Sequence, residues 1–116
     1  MKKIFFLLGL IISIHASCQS YSIGELRDTL IDQERGGRKI PVQVYYPSDS
    51  SGVNVPVSEK TNEKYPLLCF AHGYRVDPEL YKNIWEATVP AGYIMVLPET
   101  GEERFPSHME YAWDIA

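Results

Sequence analysis

The stretch "PLLCFAHGYRVDPELY" carries the chain's best candidate for chemistry. An apolar run ends in Cys69, Phe70 and Ala71, breaks at His72-Gly73-Tyr74, and restarts as a helix with Asp77 at the N-cap, Pro78 at the first helical position and Glu79 in the first turn. A strand that passes through a glycine-opened turn to a helix N-terminus points backbone N–H groups at a ligand. A dinucleotide-binding turn needs Gly-x-Gly-x-x-Gly, but Gly73 is followed by Tyr74, Arg75, Val76 and Asp77; the Gly-Lys-Ser/Thr of a phosphate-binding loop is also absent. The turn is therefore not read as a phosphate cradle. As residues alone, it reads as a tight turn in which His72 is a hydrogen-bonded polar residue.

Other reactive side chains are few. Of the three histidines, His15 lies in the apolar N-terminal stretch, while His72 and His108 are far apart without a third ligand, so no metal and no cofactor are expected. Two cysteines cannot build a disulfide framework, and Cys69, inside an apolar run, reads as a small hydrophobe.

The first residues, "MKKIFFLLGLIISIHASCQS", place Lys2 and Lys3 before an apolar run over 4–14 and small residues around Cys18. That is the anatomy of an export signal, and the run is too short to span a bilayer as a permanent helix. Residues 1–17 are read as a signal peptide. Ala16-Ser17-Cys18 resembles the tail of a bacterial lipobox, which would make Cys18 a lipidation site and attach the protein to a membrane; His15 departs from the usual leucine-like residue. A soluble form cut before Gln19 fits the same residues. The chain is thus expected to be exported, as a periplasmic protein, an outer-membrane lipoprotein or a secreted protein. Of the 11 Lys and Arg residues, two belong to the signal, leaving nine against 15 acidic residues, a balance near −6. Nucleic acid is not an expected partner, because phosphate binding needs a concentrated basic face.

The remaining segments supply the elements that must position the turn. "ELRDTLID" and "KIPVQVYYP" read as two strands joined through Gly36-Gly37. Ile40, Val42, Val44 and Tyr46 alternate with Pro41, Gln43 and Tyr45, which predicts one aliphatic row on one face, with Pro41 better suited to a strand start. The polar segment 48–64 reads as a surface excursion. "YPLLCFA" and "YIMVLP" are continuous apolar runs, expected of strands buried on both faces. Between them, Tyr81, Ile84, Trp85, Thr88 and Val89 share a helical face, and Pro90 and Gly92 end the helix. Strand, helix and strand form a βαβ unit. Ser107 and Glu110 make a capping box for a further helix, in which Ala112, Ile115 and Ala116 are still apolar at the last residue.

Residues 26–116 resemble the opening of α/β-hydrolases, most closely the branch of dienelactone hydrolases, chlorophyllases, cutinase-like polyesterases and platelet-activating-factor acetylhydrolases. The resemblance rests on a hairpin ending in "VYYP", then "KYPLLCFAHGY", the helix with Trp85, "AGYIMVLPET" and a next helix carrying "YAWDIA". It implies an α/β fold class: an antiparallel hairpin followed by a βαβ unit, a three-layer sandwich when complete. It also implies hydrolysis of small-molecule or polymeric carboxylic esters through an acyl-serine. Carried onto these residues, Tyr74 becomes the backbone oxyanion-hole donor, Gly73 lets the main chain approach the substrate, and His72 braces the turn. A fixed N–H facing the developing oxyanion is typically worth about 10²- to 10³-fold in rate. The tyrosine ring is placed equally well as a substrate wall or as cover for the sheet edge.

The serine of Gly-x-Ser-x-Gly, with its acid and histidine, has no counterpart in these residues. Residues 18–116 are accordingly read as the N-terminal portion of a hydrolase domain, ending before the nucleophile elbow. The segment "PETGEERFPSH" falls where such folds put substrate-facing loops, although Glu102 and Glu103 fit a solvated acidic loop. A non-catalytic envelope lipoprotein that binds rather than cleaves is the other class of reading. For export, Cys18→Ala in the full gene is expected to abolish acyl-chain labelling and leave a soluble envelope form; unchanged membrane retention would defeat the lipoprotein assignment.

Overall fold

The computed structural model describes residues 20–71 and 76–99. Five strands form one mixed sheet: β1 (Ser22–Asp32), β2 (Arg38–Ser48), β3 (Gly52–Val53), β4 (Leu67–Cys69) and β5 (Ile94–Pro98). A 3₁₀ turn (Pro78–Tyr81) leads into the helix α1 (Lys82–Thr88). The spatial order is β3-β1-β2-β5-β4.

The hairpin forms as its turn residues require. β1 and β2 run antiparallel from Ser22↔Ser48 to Asp32↔Arg38, and Gly36 and Gly37 adopt φ of +68° and +77° at the tip. That region costs a residue with a Cβ roughly 1–2 kcal/mol. Asp32 locks the turn by accepting from the backbone N–H of Glu34 at 3.0 Å and of Arg35 at 3.2 Å, and from the Arg35 guanidinium. Hydrogen bonding to Arg35 holds the Asp32 carboxyl below the usual range.

The βαβ unit is present. β4 pairs parallel with β5 (Leu67↔Ile94, Cys69↔Val96), with α1 between them in the chain. β5 also pairs antiparallel with β2, from Val42↔Pro98 to Tyr45↔Met95, and so lies between β2 and β4. The core is on the α1 side of the sheet, where Tyr45, Met95, Leu97, Trp85 and Val89 form one buried cluster flanked by Ile23, Phe70, Tyr81 and Ile84. Seven helical residues are too few for an independently stable helix. Trp85 and Val89, buried against the sheet, hold α1 in place. Val89 continues the turn, and Gly92, at φ +96°, ends it by donating its N–H to the Val89 carbonyl at 2.9 Å.

Three expectations change, and the segment after β2 remains a surface excursion. β4 is a short edge strand with exposed Leu67 and Leu68, not a strand buried on both faces, because β5 pairs on one side of it and none of the other described strands on the other. β2 is buried on both faces from Val42 to Ser48, apart from half-buried Val44, because Gln43 and Tyr45 lie on the α1 side. Pro41 sits four residues into β2 rather than at its start. Its carbonyl accepts the N–H of Glu99 at 2.8 Å, just past the last β2–β5 pair, so its missing donor leaves one rung unmade at the end of the ladder. The excursion after β2 is tied down: β3 pairs parallel with β1, the Tyr46 hydroxyl donates to the Val55 carbonyl at 2.6 Å, and Ser48 Oγ donates to the Pro56 carbonyl at 2.7 Å.

Gly24 lies opposite Tyr46, and a Cβ there would meet the Tyr46 ring at 2.3 Å. Gly24→Ala is therefore expected to turn the ring away, break the bond to Val55 and destabilise the complete protein by about 1–3 kcal/mol. Tyr46→Phe alone should cost about 1 kcal/mol. Denaturant unfolding checks both, and a Gly24→Ala protein as stable as the parent would show that the ring does not depend on the glycine.

Candidate functional site

The parallel pairing of β4 and β5 brings their carboxyl ends to one edge of the sheet, the end at which open α/β sheets bind ligands. Phe70, one residue beyond the last β4–β5 pair, donates its N–H to the Val96 carbonyl at 2.8 Å. Asp77 Oδ1 accepts the N–H of Glu79 at 3.0 Å, which caps the 3₁₀ turn as the sequence predicts. The rings of Phe70 and Tyr81 meet at 4.9 Å and a 60° tilt, so a side-chain contact ties the residue after β4 to the residue before α1. His72, Gly73 and Tyr74 lie outside the described residues, as do Cys18, Glu102, Glu103, Ser107 and Glu110.

Beside these flanks is a polar chain that sequence reasoning missed. The Tyr45 hydroxyl donates to Gln43 Oε1 at 3.0 Å, and Gln43 Nε2 donates to Glu99 Oε1 at 2.8 Å. Gln43 pairs with Leu97 and Tyr45 with Met95, so both side chains belong to the α1 face. The Tyr45 ring stacks on Trp85 at 4.3 Å with 5° between planes. Gln43 is only 4 % exposed, and its amide runs from the core to Glu99, the first residue after β5. The clue in the sequence is a glutamine and a tyrosine on the alternate row of a strand whose partner helix carries a tryptophan; it could be read only with β2 known to be internal.

Burial pushes Tyr45 up to about 12, with Glu79 and Glu25 adding to the rise and Arg27 opposing it. The phenol is thus a proton-holding donor to Gln43 at neutral pH. Cys69 is exposed as a residue, yet the protein around its thiol raises its pKa by desolvation, which disfavours the thiolate needed by a nucleophile. Among the described residues there is no group of three or more His, Cys, Asp or Glu placed to hold a metal ion, and no helix long and apolar enough to cross a membrane. No family model, curated protein or solved structure matches the chain.

The raised Tyr45 value has a definite sign. The folded state keeps the proton above the ordinary value of 10.0, so this contribution to stability is complete below pH 10 and is lost as pH rises toward about 12. Tyr45→Phe should be less stable than the parent at neutral pH, yet lose stability less steeply through that alkaline window, by the equivalent of one proton. Denaturant midpoints measured against pH decide this; parallel curves would place the Tyr45 hydroxyl in water.

Proposed function

We propose that the chain is the N-terminal part of an exported α/β-hydrolase that cleaves carboxylic esters through an acyl-serine, with Tyr74 donating its backbone N–H to the oxyanion. The observation that carries the reading is the arrangement around the turn. A long antiparallel hairpin precedes a parallel βαβ unit, and β4 delivers the chain at the carboxyl edge of the sheet into an Asp77-capped turn. This is the order of elements that the resemblance implies as far as residue 99.

The chemistry follows from that placement. Attack on an ester carbonyl puts negative charge on its oxygen, and a main-chain donor at the end of a strand hydrogen-bonded to β5 can meet that charge without reorganising. The flanks of the turn have the necessary support, since Phe70 and Tyr81 pack on the buried cluster. Gly73, without a Cβ, allows close approach of the main chain. The serine, the acid and the histidine of the triad belong to chain beyond residue 116, and the substrate is a small-molecule or polymeric ester. Export through residues 1–17 and attachment through Cys18 would place the activity in the cell envelope.

The complete protein tests the assignment. Tyr74→Phe should leave turnover of a small acetyl ester nearly intact, because the donor is in the main chain. Tyr74→Pro removes that donor and should lower kcat by roughly 10²-fold or more, with circular dichroism as the folding control. Gly73→Val should also be severe, whereas His72→Asn should mainly cost stability. A well-folded Tyr74→Pro enzyme with full activity would withdraw the oxyanion assignment.

A further inference from the structure

We propose that the amino edge of the sheet is a membrane-docking surface, resting on the bilayer that holds the lipid of Cys18 and turning the carboxyl ends of β4 and β5 toward water; this rests on the attachment through Cys18 proposed above. Cys18 precedes Tyr21 by three residues, a tether of at most about 11 Å. Tyr21 itself is fixed. Its N–H donates to the Pro90 carbonyl at 3.2 Å, its buried ring meets Tyr65 edge to face, and the Lys60 ammonium lies 5.7 Å from the ring centroid. A lipid on Cys18 therefore enters the bilayer beside one defined point of the fold.

That point lies at one end of the sheet. β1 and β5 both run antiparallel to β2, and β4 runs parallel to β5, so β1, β4 and β5 share a direction. Tyr21, one residue before β1, stands on the side of the amino ends of β4 and β5. The hairpin tip, beyond the eleven residues of β1, is on the carboxyl side, roughly 35 Å away. Two exposed apolar side chains flank the tether, Tyr93 and Val57. Tyr93 follows Gly92, where an added Cβ would lie 3.6 Å from the Tyr21 ring, and Val57 pairs with Ser48, the partner of Ser22. Neither belongs to β4, so neither owes its exposure to β4 being an edge strand. A tyrosine ring and an aliphatic group beside a lipid gain by entering the headgroup zone, where the ring keeps its hydroxyl in water. Lys60 is paired with Asp49 at 3.1 Å and Lys64 follows Glu63, so the attraction is apolar and needs no anionic lipid.

The test uses the complete acylated protein in phosphatidylcholine vesicles that carry a nitroxide on the lipid headgroup, with Cys69→Ala removing the native free thiol. Ala91 and Gln33 are both exposed, so a fluorophore on Ala91→Cys or Gln33→Cys reports position without disturbing the core. The label on Ala91→Cys, at the amino edge, should lose most of its emission to the nitroxide, and the label on Gln33→Cys, at the hairpin tip, should keep it. Adding Tyr93→Ser and Val57→Ser should restore part of the emission at Ala91→Cys while the lipid on Cys18 is retained. Equal quenching at the two positions, or quenching at Ala91→Cys that the two serines leave unchanged, would overturn the docking surface and leave the attachment standing. Mass spectrometry of the N-terminus separates the two ideas: a Cys18 without acyl chains would remove the attachment itself, and the docking proposal with it.

Discussion

The stacking of Trp85 on Tyr45 is the contact on which the rest depends. It joins the helix to the middle of the sheet, at a ring separation of 4.3 Å, and closes over Met95 and Leu97. Burying each large side chain of this cluster contributes roughly 1.5–3 kcal/mol, more than a typical net hydrogen bond at about 1 kcal/mol. The helix has seven residues and the edge strand three, so neither persists by local preference. Both are held because the cluster places α1 over β5, and β5 between β2 and β4.

That insertion also organises the polar side of the molecule. With β5 next to β2, Gln43 and Glu99 meet although 56 positions separate them in the chain. The same insertion sends the carboxyl ends of β4 and β5 to one edge. The hydrophobic cluster and the polar chain thus share a single cause, and the Tyr45 ring belongs to both, with its face against Trp85 and its hydroxyl on Gln43.

At the opposite end, side chains do the work that a longer ladder would otherwise do. The excursion after β2 is pinned by the Tyr46 and Ser48 hydroxyls, and Ser58 donates to Asp49 at 2.6 Å. The Asp49 carboxyl is held below its usual range by that hydroxyl and by Lys60 at 3.1 Å. The Tyr21 and Tyr65 rings meet edge to face at 5.4 Å, and the Tyr21 N–H reaches the Pro90 carbonyl at 3.2 Å, which ties the start of β1 to the end of the helix. A polar, serine-rich segment can therefore be well ordered.

Local signals sufficed for the hairpin, the Asp77 cap, the Gly92 stop and the apolar helix face, because turn chemistry, capping and periodicity act within a few residues. They also sufficed for the order of elements, strand, helix, strand. The burial of β4 was not legible, since an apolar run looks the same in an edge strand as in an internal one, and only the pairing of β5 decides which it is. The role of Gln43 was not legible for the same reason: its partner Glu99 and its cover, Tyr45 on Trp85, come together only when β5 lies against β2. The sequence determined which segments are strands and helix; the tertiary structure alone decided which strands are internal and which polar groups meet, because pairing energy depends on neighbours that are distant in the chain.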